Sequence, residues 1–440
     1  MLLTPIPHTF RPNFQPYMMC TFTLLSTEPP LTRLASIAEL PATITRHPDA
    51  VRVAQIGLAG GIGFCHLNEY SHNPHFKYIG GYDLYPQEPK VTEASTRVRQ
   101  MGGRIYGSFE EVLADPHVEA IDICTPHHFH RPMAVAAFKA GKHVLVEKPM
   151  ATHPDELALM LQAQQASGKV GAVQMQHIGR SSMLDLRAAI QQGAIGQLKE
   201  VFLSSLWWRE ENYYSRLPWA GRIKVDGAWC VDGALFNQCV HFITQMLILA
   251  APPPPAAPPA PTPQNPAAIT VARVKDLRCA MYKFHQTPTL DAGDTAFAVG
   301  TIEAPGNPRL TLVGTTCSTQ EQHQIELIGT KGRALWNGTG YLFVDGQSMR
   351  EFQDDNRDFD GTSRIFTSWA RAIRQGGKPL TDFAAIAPAA EFISNCYTAS
   401  NWQIKNAPWS ATESLFSQVI QQAFTARALP TELQPKPDWA

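Results

Sequence analysis

The segment VRVAQIGLAGGIGF, residues 51–64, decides the fold class of this chain. It opens with a short apolar run of the kind that forms a buried strand. A glycine cluster follows at once, and IGFCHLNEYSH, residues 62–72, has helical character. Glycines between a first strand and a helix allow a tight turn and a close approach of the backbone to a pyrophosphate. The segment therefore predicts the start of a dinucleotide-binding domain.

The strand–helix alternation continues to about residue 175. The next predicted strands are FKYIGGYD, AIDICTP, HVLVEKP and VGAVQM, and the helices are VTEASTRVRQMGG, SFEEVLAD, RPMAVAAFKAG and PDELALMLQAQQASG. Such alternation is typical of βαβ units in a doubly wound parallel sheet. We predict an NAD(P)-binding Rossmann domain over residues 49–175, preceded by a proline-containing extension, residues 1–48, without sustained periodicity.

The pattern changes after this domain. Longer strand-like stretches are LKEVFLSSLWW, ITVARVKDL, TAFAVGTIEA, RLTLVGTTCS and HQIELIGTKGRALW, and the helical candidates are MLDLRAAIQQG, ALFNQCVHFITQMLILA and ESLFSQVIQQAFTA. Segregated strands and helices predict a C-terminal α+β domain with a mostly antiparallel open sheet over residues 176–430. The Pro/Ala-rich run at 251–268 is interpreted as a surface loop of polyproline type, with partner binding as the alternative.

Charge and composition exclude several classes of function. Lys and Arg number 37 against 38 Asp and Glu, so bulk electrostatics favours neither nucleic acid nor an anionic membrane as a partner. No run approaches the ~20 apolar residues of a transmembrane helix. The eight cysteines are scattered and form no C-x-x-C pair, which favours free thiols in a reducing compartment. We expect a cytoplasmic protein.

The glycine loop and one acid provide the candidate cofactor-binding residues. The loop departs from G-x-G-x-x-G by one extra residue, and its candidates are Gly57, Gly60, Gly61, Ile62 and Gly63. Asp83 lies twenty residues beyond Gly63, at the end of the second predicted strand. An acid at this position binds the ribose hydroxyls and repels a 2′-phosphate, so it favours NAD, with NADP as a possibility. The alternative is a polar turn residue.

Three motifs together resemble the Gfo/Idh/MocA oxidoreductases, the family of glucose–fructose oxidoreductase and inositol dehydrogenase. They are GGIGFCH at 60–66, TPHHFH at 125–130 and, most specifically, AGKHVLVEKP at 140–149. The resemblance covers roughly residues 50–430. It implies a Rossmann domain, a C-terminal α/β domain, and NAD(P)-dependent oxidation or reduction of sugars, polyols and related compounds.

The resemblance also implies roles for particular residues. Lys148 would stabilise charge on the reacting oxygen, and a surface lysine at a strand end is the alternative. DGALFNQCVH, residues 232–241, matches a second family segment, in which His241 would be the general base and Asn237 would orient substrate or His241. A core histidine is the alternative for His241. The other residues expected beside the cofactor are Thr125, Pro126, His130 and Glu147.

This second segment departs from the family pattern. Asp232 stands where glycine is usual, Cys239 replaces a small residue, and Thr244 stands where many members have aspartate. Asn237 occurs among family members, but it lacks the carboxylate that could tune the histidine.

Other candidates have less specific signals. Arg180, Trp208–Arg209, Trp219 and Arg222 are interpreted as lining a substrate pocket, because an arginine fork suits a carboxylate or phosphate. His127, His128 and His130 invite a metal site. However, the spacing of His128 and His130 brings imidazoles together only on a strand, and this segment opens a predicted helix, so we expect no metal.

The main hypothesis is an NAD-dependent dehydrogenase in which Lys148 polarises a substrate hydroxyl and His241 removes its proton. Two alternatives stay open: a non-catalytic dinucleotide-binding regulatory protein, and a redox-neutral lyase or glycosidase that oxidises its substrate only transiently. The resemblance further implies a homodimer or homotetramer.

Overall fold

The computed structural model describes residues 44–253, 269–344, 349–354, 361–412 and 418–440. Most of the predicted N-terminal extension and of the Pro/Ala-rich run lies outside the described residues. Within these ranges, no helix combines the length and the apolar character needed to cross a membrane.

The first sheet has six parallel strands in the order β3-β2-β1-β4-β5-β6. The strands are Val51–Ile56 (β1), Phe76–Tyr82 (β2), Arg104–Ile105 (β3), Ala120–Ile123 (β4), His143–Glu147 (β5) and Gly171–Gln174 (β6). The strand order reverses between β1 and β4, and ligands of open α/β sheets bind in the crevice at such a point. The predicted doubly wound sheet is confirmed.

Five helices connect these strands: Gly61–His72 (α1), Pro89–Gln100 (α2), Phe109–Ala114 (α3), His130–Lys139 (α4) and Pro154–Ser167 (α5). Local signals set their ends. Helix α5 starts with Pro154, whose missing N–H costs nothing at that position, and it ends before Gly168 at φ +64°. The Ser108 hydroxyl caps α3 by accepting from the Glu111 N–H at 3.2 Å.

The second sheet has nine strands in the order β16-β15-β14-β13-β7-β12-β11-β10-β17. Its strands are Leu198–Trp208 (β7), Val274–Lys283 (β10), Thr295–Ile302 (β11), Arg309–Thr315 (β12), Cys317–Gly329 (β13), Gly332–Trp336 (β14), Gly340–Val344 (β15), Arg350–Phe352 (β16) and Ile404–Asn406 (β17). A separate hairpin pairs Lys224–Val225 (β8) with Ala228–Trp229 (β9). Only β7–β12 and β10–β17 are parallel, so the predicted mostly antiparallel sheet is confirmed.

The remaining helices are Ser181–Gln191 (α6), Ala234–Asn237 (α7), Val240–Leu249 (α8), Thr362–Gln375 (α9), Phe383–Ala399 (α10) and Ile420–Ala426 (α11). The single helix expected over 234–250 is therefore divided, with the break at residues 238–239. Part of the candidate helix ESLFSQVIQQAFTA, residues 413–417, lies outside the described residues.

Helix α9 returns to the first sheet from far downstream. Its Phe366 and Trp369 side chains are buried in one apolar cluster with Val51 and Phe76. The rings of Phe76 and Trp369 lie 5.7 Å apart. Part of the range predicted for the second domain thus packs on the Rossmann sheet.

Two apolar layers cover opposite faces of the second sheet at β10–β12. Along β11, Ala296 and Ala298 belong to the main core beneath α7, α8 and α10, whereas Phe297 and Val299 face the other way. This other face is covered by side chains from the described part of residues 407–440, which we call the C-terminal cover: Ala407, Val419, Ile420, Ala423, Leu429 and Leu433.

Candidate active site

Gly57 and Gly63 fix the shape of the glycine loop. Gly57 has φ +86°, and a Cβ there would lie 2.6 Å from the Cys124 oxygen of the neighbouring strand end. A Cβ on Gly63 would lie 2.6 Å from the Gly57 oxygen and 2.7 Å from the Leu58 oxygen, so α1 approaches the turn only because this residue is glycine. These are the two packing requirements of a dinucleotide fingerprint, met with one more residue in the loop.

Gly60 differs because a Cβ there would meet nothing within 4 Å. It precedes Gly61, the first residue of α1, and offers no capping side chain. The start of α1 thus has no capping side chain and open space beside Gly60, two features that a pyrophosphate cradle at a helix N-terminus requires. Ile62 is partly exposed on the same first turn.

Asp83 lies directly beside this loop, after β2. Its Oδ2 accepts from the Leu58 N–H at 2.7 Å and from the Ala59 N–H at 3.3 Å, while Oδ1 accepts from the Tyr85 N–H at 2.9 Å. The carboxylate therefore closes the side of the loop where the adenosine ribose of a bound dinucleotide would lie.

His130 joins the ends of two neighbouring strands. Its Nδ1 lies 2.8 Å from the oxygen of Pro149, after β5, and its Nε2 lies 2.8 Å from the oxygen of Thr125, after β4. Burial lowers the pKa of His130. Thr125, Pro126 and His130 therefore lie at the carboxyl edge of the sheet, and His130 contacts the residue that follows Lys148.

Glu147 belongs to a buried charge network under α1. His66 is 2% exposed; its Nδ1 lies 2.8 Å from Asp122 and its Nε2 lies 3.1 Å from Glu147. Burial opposes the charge on His66, but the interactions with Asp122 and Cys124 together outweigh burial, and the pKa of His66 is raised well above the ordinary value. The second oxygen of Glu147 accepts from the Lys148 N–H at 3.0 Å. Glu147 therefore fixes the backbone that carries Lys148.

Lys148 links the Rossmann part of the chain to the part that follows it. Its Nζ donates to the backbone oxygen of Asn237 at 3.1 Å and to Asn237 Oδ1 at 3.3 Å. The lysine follows β5 and the asparagine ends α7, so these contacts join the nucleotide crevice to the second part of the chain. The peptide bond between Lys148 and Pro149 is cis.

His241 lies at the start of α8. It is 8% exposed, and among the described residues its Nδ1 has no hydrogen-bond partner. Burial lowers its pKa well below the ordinary value, and His177 and Lys148 lower it further. The imidazole is therefore neutral near pH 7 and able to accept a proton. The rings of His177 and His241 lie 4.5 Å apart.

The arginines proposed for the pocket have carboxylate partners. Arg180 Nε donates to Asp354 at 2.7 Å, and Arg222 lies 3.9 Å from Asp291 on the surface. Trp219 lies closer to the crevice, with its ring 5.5 Å from that of His127. Trp219 thus lies against His127, whereas the Arg222 side chain pairs with Asp291 and its backbone oxygen accepts from the Asp232 N–H at 2.9 Å.

Sequence reasoning gave no role to Tyr213 or His177, and it noted Asp232 only as a departure. Tyr213 accepts hydrogen bonds through its hydroxyl from Asn237 at 3.2 Å and from Gln238. Nothing local in the sequence signals these contacts, because Tyr213 lies 24 positions from Asn237 and 25 positions from Gln238.

His/Asp/Cys groups with metal-ligand spacing occur at two places in the described residues: His66, Asp122 and Cys124, and His285, Asp294 and Cys317. In each group the side chains already hydrogen-bond to one another. Neither group includes His127, His128 or His130.

The crevice, its glycine loop and the lysine beside it define a class, the NAD-binding oxidoreductases. Residues 51–177 match the profile described as the oxidoreductase family with an NAD-binding Rossmann fold, and residues 183–335 match that of the GFO/IDH/MocA C-terminal domain. The chain belongs to the GFO/IDH/MocA family, as its motifs predicted.

Relatives and solved structures agree with this assignment. The chain is 28% identical over 199 residues to levoglucosan dehydrogenase of Pseudarthrobacter phenanthrenivorans, covering 43% of this chain and 49% of the relative. It spans about half or less of the length of the curated relatives it matches.

The same fold occurs in an inositol dehydrogenase homologue from Azotobacter vinelandii complexed with NAD+, with a TM-score of 0.66 at 17% identity over 82% of this chain and 98% of the other. It occurs also in the WlbA dehydrogenase of Bordetella pertussis in complex with NADH and UDP-GlcNAcA, with a TM-score of 0.63 at 21% identity over 80% and 97%.

Proposed function

We propose that this protein is an NAD-dependent dehydrogenase that acts on a hydroxyl carbon of a sugar, polyol or related compound. The observation that carries the proposal is the contact between Lys148 and Asn237, which sets an ammonium group at the carboxyl edge of the nucleotide sheet. The names of the relatives, levoglucosan dehydrogenase and inositol dehydrogenase homologue, support the substrate class.

The residues around the crevice divide the work. Gly60 and the first turn of α1 hold the pyrophosphate, and Asp83 holds the ribose hydroxyls. NAD, when bound, supplies the hydride acceptor. Lys148 donates a hydrogen bond to the substrate oxygen and stabilises the negative charge that develops there. His241, neutral through burial, accepts the hydroxyl proton.

Cofactor preference gives the first test. We expect NADH to bind more tightly than NADPH in a titration followed by nicotinamide fluorescence, because Asp83 repels a 2′-phosphate. A preference for NADPH would contradict the assignment of Asp83 but not that of a dehydrogenase.

Turnover gives the second test. Purified protein is incubated with NAD+ and a panel of neutral sugars and inositols that includes levoglucosan, and NADH formation is followed. Lys148→Ala is expected to lower kcat by about 100-fold or more, since one donor to a developing oxyanion is worth that much. Lys139→Ala, which removes an exposed lysine of α4, is the matched control.

The same assays separate the alternatives. Tight dinucleotide binding without turnover of any substrate would favour the regulatory protein. Product formation without net NADH would favour the redox-neutral lyase or glycosidase.

Location and assembly are part of the proposal. The seven described cysteines are free thiols, which supports a cytoplasmic location. The near balance of 37 basic against 38 acidic residues supports a small-molecule substrate with no membrane or nucleic-acid partner. The homodimer or homotetramer stays a prediction, which light scattering of the purified chain tests.

A further inference from the structure

Asp232 is a buried carboxylate just outside the Lys148 site. It is 0% exposed. Its Oδ2 accepts from the Gly221 N–H at 2.9 Å and from Arg216 at 3.3 Å, and its Oδ1 accepts from Asn237 Nδ2 at 2.5 Å. Burying a charge is costly unless it is well paired, so this residue needs a reason beyond packing.

The two ends of the Asn237 amide have different neighbours. Nδ2 donates to Asp232 and to the Tyr213 hydroxyl, while Oδ1 accepts from Lys148. A flipped amide would place Nδ2 against the ammonium group and Oδ1 against the carboxylate, and both contacts would be repulsive. The Asp232 carboxylate therefore selects the orientation in which the amide oxygen faces Lys148.

We propose that Asp232 is a positioning residue for the reaction: through Asn237 it holds an oxygen on Lys148 and supplies the negative charge that an aspartate at 237 would otherwise bring. This inference rests on the proposed function. It connects the departure at position 232, where Asp stands in place of the usual glycine, with Asn237, which lacks the carboxylate that an aspartate would bring.

A carboxylate at 232 is required because its two oxygens accept from different donors. In Asp232→Asn, one end of the side chain becomes an NH2 group. The single amide oxygen of Asn at position 232 accepts either from the Gly221 N–H or from Asn237 Nδ2, but not from both. The NH2 group then faces the other donor, and neither of these two donors has an acceptor. Asn237 is then free to turn its amide away from the orientation that Lys148 needs.

The exchanged pair Asp232→Asn with Asn237→Asp removes this conflict. The amide introduced at position 232 can accept from Gly221 and donate to the carboxylate at position 237, and that carboxylate accepts from Lys148. The double variant therefore keeps the hydrogen bonds and moves the charge closer to the ammonium group.

The experiment compares wild type, the single variant D232N and the exchanged pair. We expect D232N to lower kcat about 10-fold to 100-fold, the effect of one mismatched buried hydrogen bond, while the NADH Kd stays near wild type and the melting temperature falls no further than in the matched control described below. The exchanged pair is expected to recover most of kcat.

Asp115→Asn is the matched control. Asp115 is also a buried acid that pairs with an arginine, a backbone N–H and a tyrosine hydroxyl, but it lies at the far end of the Rossmann sheet. Any loss of kcat common to both Asp→Asn variants would reflect general destabilisation.

Labelling of Lys148 with acetic anhydride, read by mass spectrometry, needs no turnover and separates this inference from the proposed function. D232N should speed labelling, because an ammonium that loses its negative neighbour is deprotonated more often, and the exchanged pair should slow it again. If the wild-type protein oxidises no substrate, the proposed function fails. The labelling rates still show whether Asp232 controls the state of Lys148. Unchanged labelling and kcat in D232N, or a folded exchanged pair without recovery, would overturn the role of Asp232.

Discussion

Two glycine-to-alanine substitutions in one loop should separate packing from cofactor binding. At Gly63 the added Cβ would lie 2.6 Å and 2.7 Å from two backbone oxygens, so the turn or α1 must move by several tenths of an ångström. At Gly60 the added Cβ would meet no protein atom within 4 Å, and the backbone there has φ −65° and ψ 155°, which alanine adopts without strain.

We expect Gly63→Ala to change the stability of the fold and Gly60→Ala to change cofactor binding. Gly63→Ala should lower the free energy of unfolding by about 1–3 kcal/mol, the usual cost of overpacking against rigid neighbours. Gly60→Ala should leave it equal or raise it by about 0.4–1 kcal/mol through the unfolded chain. The methyl group added at position 60 would, however, occupy the space of the pyrophosphate, so we expect the NADH Kd to rise about tenfold or more, or about 1.4 kcal/mol.

Urea denaturation followed by circular dichroism gives the stability of each variant, and nicotinamide fluorescence gives the NADH Kd. The reasoning fails if Gly60→Ala is as destabilising as Gly63→Ala, or if Gly60→Ala binds NADH as wild type does. The first result would mean that the loop backbone around Gly60 is more crowded than described. The second would mean that the pyrophosphate does not bind beside Gly60.

Two further substitutions test the framework of the site. His66→Gln leaves the Asp122 and Glu147 carboxylates buried without a cation and should cost about 3–5 kcal/mol in denaturation experiments. Because the folded pKa of His66 is raised, its stabilisation is complete below pH ~6.5 and is lost as the pH rises through the folded pKa, so the difference from wild type should shrink in alkaline buffer. Trp369→Ala should cost about 3–5 kcal/mol by opening a cavity on the Rossmann sheet, whereas Leu159→Ala at an exposed position should stay within ~0.5 kcal/mol. Equal losses for this last pair would contradict the burial of α9.

Local signals account for the elements that the sequence could predict. The bounds of α5 follow from Pro154 and Gly168, which act within a few residues. The break between α7 and α8 has no such marker, because neither glycine nor proline stands at 238–239. Helix α9 was missed although Ile365, Phe366 and Trp369 recur with helical spacing, a signal that was available.

In the site, too, local motifs predicted some residues but not the contacts between them. Lys148 and Asn237 were recognisable because each belongs to a motif, yet the contact between them joins residues 89 positions apart. The partner of Arg180 was not predictable: Asp354 lies 174 positions away, in a stretch without a motif. Sequence identifies groups with chemistry, whereas tertiary packing decides which of them neutralise one another.

The C-terminal cover is synthesised after the strands that it packs on, so one face of the second sheet stays exposed during synthesis. Strands β10–β12 are complete long before residues beyond 418 exist, so Phe297, Val299 and Val313 stay exposed on a nascent sheet until the cover arrives. Exposed aromatic and branched surface of this kind favours aggregation of incomplete chains. A truncation before Val419 would remove most of the cover and lower the solubility of the protein, although the removed residues lie outside the crevice that contains Lys148.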